Sequence, residues 1–118
     1  MARKKLYYRY EIPTSIVSIG KAICADYDRR ERVISRAASE TNEVSSSDPV
    51  IDRLSELNAI VDEALVEIEE ELRRIMLDDI LTGRGYEFSQ ATTIVSRGAY
   101  YRRKRKLIYD IAKGLRLF

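Results

Sequence analysis

Residues 96–115 read Ser96-Arg-Gly-Ala-Tyr-Tyr-Arg-Arg-Lys-Arg-Lys-Leu-Ile-Tyr-Asp-Ile-Ala-Lys-Gly-Leu115. Apolar residues recur there every three or four positions, which predicts an amphipathic helix from about Gly98 to Leu115. Ser96 is placed to cap its N-terminus. The positions that we expect to face inward are Tyr100, Lys104 (through its aliphatic stem), Leu107, Ile108, Ile111 and Leu115.

The segment before this helix predicts a second, shorter helix. It would run from about Ser89 to Ile94 and bury Phe88, Ala91 and Ile94, and Val95-Ser96-Arg97 would form a tight turn after it. A short helix, a turn and a longer helix are typical of a helix-turn-helix, whose second helix enters the DNA major groove. We therefore predict a basic helix-turn-helix region over residues 83–118.

Charge agrees with this interpretation. Arg97, Arg102, Arg103, Lys104, Arg105 and Lys106 place six cations within ten residues, and Asp110 is the one acid from Ser89 onward. Contact with four phosphates would give a slope of log affinity against log salt of about −3.6. Near the helix start, Arg97, Tyr101, Arg102 and Arg105 can reach base edges. The partner that we predict is double-stranded DNA, and the alternative is that these cations pair with acidic residues of the same chain.

Residues 1–82 are predicted to form a helical core or oligomerisation region. One amphipathic helix is expected over about 14–38, after Pro13, and residues 39–49 form a polar, Ser-rich linker. Asp48 and Pro49 begin a long helix of about seven turns, roughly 45 Å, that Gly83 ends. The fold class is therefore all-α, with long helices and a C-terminal helix-turn-helix.

The net charge of +2 is the sum over three segments whose charges alternate in sign along the chain. Residues 1–38 carry nine basic and four acidic side chains, residues 39–82 three and thirteen, and residues 83–118 nine and two. The acidic face of the long helix contains Asp62, Glu63, Glu67, Glu69, Glu70 and Glu71, which we interpret as a solvated face that partly neutralises a basic neighbour. The apolar stripe of this helix fits either a dimer seam or an intramolecular hairpin with helix 14–38.

Composition argues against several other classes of protein. With no His and one Cys, an imidazole base, the usual zinc sites and an internal disulfide are excluded. No nucleophile–base pair or ligand spacing is present, so we expect neither an enzyme nor a cofactor or metal. We expect a buried thiol at Cys24, no membrane span and a cytoplasmic location. The basic, Tyr-rich residues 1–12 fit either a tail packed on the body or an arm that follows phosphates.

The tail Ser96–Leu115 resembles the C-terminus of Gram-positive phage late transcriptional regulators of the ArpU, RinA and LtrC type. These end in a pattern like Ser-x-x-Thr-Tyr-Tyr-Arg, basic residues and Ile-Ala-x-x-Leu, and the similarity covers about 30 residues of this chain. Ala99 stands where these regulators have Thr. The resemblance implies a sigma-region-four-like helix-turn-helix and a phage or prophage regulator of late packaging and lysis genes. It places Ser96, Arg97, Tyr101, Arg102 and Arg105 at the DNA face.

The leading hypothesis is therefore a phage-type regulator that binds DNA as a dimer in the cytoplasm of a bacterial host. Its long acidic helix would be available for self-association or for contact with RNA polymerase. Two alternatives stay open. A small-terminase-like packaging subunit would also join a helix-turn-helix to an oligomerisation helix, and would form a ring rather than a dimer. A protein-interaction module would use the basic helix to bind an acidic protein.

Overall fold

A computed structural model of the chain describes residues 12–40 and 48–118. Over these residues the chain is all-helical and contains no strand, which confirms the all-α part of the predicted fold class. The five helices are α1 (Thr14–Ala25), α2 (Tyr27–Glu40), α3 (Pro49–Leu65), α4 (Glu70–Thr82) and α5 (Arg97–Gly114). Two short 3-10 turns, Tyr86–Phe88 and Gln90–Thr93, connect α4 to α5. No helix within these residues is both long and apolar enough to cross a membrane.

The prediction of one helix over 14–38 was wrong, because the chain breaks at Asp26 into α1 and α2. Arg30, only 1% exposed, donates to the carbonyl of Ile23 in the last turn of α1 and to the side chain of Asn58 on α3. Asn58 in turn donates to the carbonyl of Tyr27. The bond to Ile23 satisfies a backbone carbonyl that the end of α1 leaves free, and the bonds of Asn58 to Arg30 and Tyr27 tie the break to α3, so the break is stabilised from inside the molecule.

The prediction of one seven-turn helix after Pro49 was also wrong, because α3 ends at Leu65 and α4 begins at Glu70. Arg73 donates from Nε to the carbonyl of Ile68 at 2.9 Å and from Nη2 to that of Val66 at 3.3 Å. The bend turns α4 back to pack against α1, while α3 packs mainly against α2. Because of this bend, the apolar stripe packs against other helices of the same chain.

The predicted helix boundaries that depend on capping are confirmed. The Asp48 side chain accepts a hydrogen bond from Val50 N at 2.9 Å, with Pro49 as the first residue of α3. Gly83 ends α4 with φ of 73°, a left-handed conformation that favours glycine. The Ser96 hydroxyl accepts from Ala99 N at 3.2 Å at the start of α5.

The core lies where α1, α3, α4 and α5 meet. Cys24 is buried there, as predicted, and so is the inward face of α5 except for Leu115 and Lys104, which are half-buried. The buried apolar residues that pack together are Cys24, Val61, Ala64, Leu65, Ile68, Leu72, Met76, Leu77, Ala91, Tyr100, Leu107 and Ile111. A Cβ at Gly20 would lie 2.9 Å from the Ile108 side chain, so α1 and α5 approach each other closely at this glycine. Helix α5 is therefore anchored along one face, and its opposite face is left to solvent.

Candidate functional site

The segment that leads into α5 is tighter than the sequence predicts. In place of a helix from Ser89 to Ile94, residues Gln90–Thr93 form one 3-10 turn, which the Ser89 hydroxyl caps by accepting from Ala91 N at 2.9 Å. Ala91 is buried as predicted, but the prediction of a buried Phe88 was wrong, because its side chain is 82% exposed. The preceding turn directs Tyr86 inward instead, where its hydroxyl donates to the Val95 carbonyl at 2.7 Å.

A buried carboxylate fixes the start of α5 relative to α4. Asp79 on α4 is 1% exposed, and its Oδ2 accepts hydrogen bonds from the Ser89 hydroxyl and from the Tyr100 hydroxyl, the latter at 2.8 Å. Burial and the bond to Asp79 raise the pKa of Tyr100, so the phenol remains a donor at neutral pH. The second oxygen, Oδ1, has no hydrogen bond to any residue that the structure describes and lies 3.6 Å from Nη1 of Arg84. One side chain thus joins α4, the 3-10 turn and α5.

The residues predicted to contact DNA fall into two groups on α5. In the first group, Arg102 and Arg105 are exposed, and neither has an ion-pair partner within residues 12–40 and 48–118. Arg97 is also exposed, forms an ion pair with Glu87 at 2.7 Å and lies 5.1 Å from the centre of the Tyr101 ring. Ser96 caps the helix beside them.

The second group, Arg103 and Lys106, turns towards the acidic bend between α3 and α4. Arg103 binds Glu69 through two hydrogen bonds of 2.7 and 2.8 Å, and this contact lowers the pKa of the Glu69 carboxyl. Lys106 lies 2.7 Å from Asp110 and 3.7 Å from Glu67. For these two cations, the alternative of internal pairing with acidic residues describes what the structure shows.

A groove of about 210 Å³ lies on the other flank of α5, between it and α1. The cations Lys21, Lys104 and Arg105 line it together with Tyr101 and three apolar side chains, those of Ile12, Val17 and Ile108. Burial lowers the pKa of Lys104, and the charge of Lys21 lowers it further. Sequence reasoning missed Lys21, since nothing in its local sequence relates α1 to the distant α5.

The predicted basic arm lies almost wholly in residues 1–11, outside the described part of the chain. No known protein family, curated protein or solved structure matches this chain. The geometry of α5 and its surroundings is therefore the basis for a functional proposal.

Proposed function

We propose that this protein binds double-stranded DNA without catalysing a reaction, and that the contact surface is the solvent-facing side of α5. The observation that carries the proposal is a pair of exposed arginines, Arg102 and Arg105, that have no ion-pair partner among the described residues and lie on a helix whose opposite face is held in the core. An α-helix fits the major groove, and guanidinium groups bind both phosphates and guanine edges. Arg97 stands at the start of the same helix, where recognition helices place their base contacts.

Rigid support for α5 favours recognition over loose electrostatic contact. Tyr100 is fully buried and bonded to Asp79, so the first turns of α5 cannot rotate without breaking a buried hydrogen bond. Breaking such a bond would leave an unsatisfied buried group at a cost of about 1–3 kcal/mol. The backbone positions from which the arginine side chains extend are therefore fixed relative to the core.

The resemblance of Ser96–Leu115 to phage late regulators extends this proposal to control of late packaging and lysis genes. A regulator of this kind would act as a dimer on two half-sites. The N-terminal part of α3 offers a surface for self-association, because Val50 is 64% exposed although it continues the apolar stripe of Leu54, Leu57 and Val61. The exposed acidic side chains of α3 and α4 that have no ion pair with a described residue, among them Glu63, Glu70 and Glu71, would be available to RNA polymerase.

Fluorescence anisotropy on DNA from upstream of the chain's own gene, measured over a range of salt, tests DNA binding. The double variant Arg102→Gln/Arg105→Gln should weaken binding and reduce the magnitude of the salt slope by about 2, one unit for each lost phosphate contact. Arg36→Gln is the matched control, because Arg36 is an exposed cation on α2, away from α5. Absence of binding by the intact protein at about 50 mM salt would rule out the proposal.

A further inference from the structure

The groove between α1 and α5 differs from the opposite flank of α5 in its balance of charge. On the α3–α4 side, Arg102, Arg103 and Lys106 line a surface groove together with three carboxylates, those of Glu67, Glu69 and Asp110. On the α1 side, Lys21, Lys104 and Arg105 line the groove, and no carboxylate of the described residues lines it with them. Among the described residues, carboxylates therefore balance the positive charge on the α3–α4 flank of α5, and none does so on the α1 flank.

The surroundings of Lys104 make the unbalanced positive charge in the groove unfavourable. Its ammonium is partly desolvated, lies 5.9 Å from the centre of the Tyr101 ring and is close enough to Lys21 to be affected by its charge. The carboxylate of Asp79 acts on Lys104 in the opposite direction, but its effect on the pKa of Lys104 is smaller than those of burial and of Lys21. Two ammonium groups that share a groove repel each other, and a bound anion would relieve that repulsion.

We propose that this groove is a phosphate site and that its occupant is a backbone phosphate of the DNA bound by α5. Lys21 and Lys104 would hold the same phosphate from two helices, so the DNA-contacting surface would extend from α5 onto α1. This inference rests on the proposed DNA binding.

The openness of the groove to solvent favours a DNA phosphate over a free one. Because Lys21 is exposed, water and dissolved salt would compete strongly with a free phosphate ion for its ammonium group. A phosphate in a duplex that is already held by Arg102 and Arg105 would instead be presented at a high effective concentration. Arg105 lines the groove and belongs to the proposed DNA surface, so the two sites are continuous.

The test compares Lys21→Gln, Lys104→Met and the double variant with the intact protein in the same anisotropy titrations. Lys104→Met keeps an unbranched apolar side chain in the half-buried position, and circular dichroism checks that each variant is folded. Because the two lysines would share one phosphate, the double variant should lower the magnitude of the salt slope by about 0.9, scarcely more than either single variant. Arg36→Gln, which removes one exposed charge outside both grooves, should leave the slope unchanged.

Three results would overturn the groove proposal while leaving DNA binding in place. In the first, the intact protein binds DNA and both lysine variants keep its salt slope. In the second, the effects of the two substitutions add, which means that the lysines do not share a phosphate. In the third, calorimetry with inorganic phosphate alone detects binding that the variants lose, while their DNA slopes are normal. Failure of the intact protein to bind DNA would instead contradict the proposed function itself.

Discussion

Cys24 shows how a single side chain reports the packing around it. The residue is 2% exposed, and burial raises the pKa of its thiol to about 12, with a smaller opposing effect from Arg30. Since the thiolate is the reactive form, we expect the folded protein to react with a thiol-specific disulfide reagent far more slowly than the denatured protein at about pH 8. Equal rates in absorbance measurements of the two states would contradict the buried position.

The same pKa predicts how stability depends on pH. Between the ordinary thiol pKa of 9.0 and about 12, the unfolded chain has lost its proton and the folded chain keeps it. Stability should therefore fall as pH rises through this range, by about 1.4 kcal/mol per pH unit from this group. Tyr27 and Tyr100, whose pKa values are also raised by burial, act in the same direction. Urea titrations at several pH values, with Cys24→Ala for comparison, separate the thiol contribution.

At the scale of single residues, the sequence predicts those features that depend only on neighbouring residues in the chain. The caps at Asp48, Gly83 and Ser96 depend on a few neighbouring residues, and all three predictions are confirmed. The prediction for Phe88 was wrong because a 3-10 turn places Tyr86 inward, and the choice between the two aromatic rings depends on a partner outside the turn. That partner is Tyr100, whose ring centre lies 5.3 Å from that of Tyr86.

At the scale of the helices, the breaks between α1 and α2 and between α3 and α4 were not predicted, and the physical reason is the same for both. The three-to-four spacing of apolar residues continues through them, because Val61, Leu65, Ile68 and Leu72 all pack into the core on either side of the bend. Neither break contains glycine or proline. Each is stabilised by an arginine side chain that donates to backbone carbonyls, a tertiary contact that periodicity does not reveal.

The bend between α3 and α4 also predicts an effect on DNA binding. Glu69 holds Arg103 through two hydrogen bonds, so a phosphate would have to compete with this carboxylate for the same guanidinium donors. Glu69→Gln should free Arg103, tighten DNA binding and increase the magnitude of the salt slope by up to about 0.9. Because both partners are partly exposed, the substitution should change the free energy of unfolding by less than about 1 kcal/mol.

Glu71→Gln is the matched control for this substitution. Glu71 is an exposed acid in the first turn of α4, so its replacement changes the net charge equally without releasing a cation of α5. Anisotropy titrations of the two variants side by side distinguish the release of Arg103 from a general effect of the change in net charge. The same gain in both variants would mean that the contact between Glu69 and Arg103 does not restrict DNA binding.

For the whole molecule, the sequence predicts the class of fold and the helix that carries the candidate site. It does not predict the division of the α5 cations, because that division depends on which elements flank the helix. The acidic bend lies on one side, with Glu67 and Glu69, and α1 lies on the other, with Lys21. Regional charge along the chain indicated a basic C-terminal segment, whereas the tertiary arrangement determines which of its cations are unpaired.

The same arrangement limits where a dimer seam can lie. From Val61 onward the apolar stripe of α3 and α4 is buried within the chain, so the part left for a second copy is the N-terminal end of α3, beginning at Val50. Val50→Glu should therefore shift a dimer towards the 13.7 kDa monomer in light scattering. It should also weaken DNA binding, because one half-site contact no longer assists the other. Val66→Glu is the control, since Val66 is also 64% exposed but lies just beyond the opposite end of α3. An intact protein that is monomeric at concentrations of tens of micromolar, or a Val66→Glu variant that dissociates while Val50→Glu does not, would contradict this location of the seam.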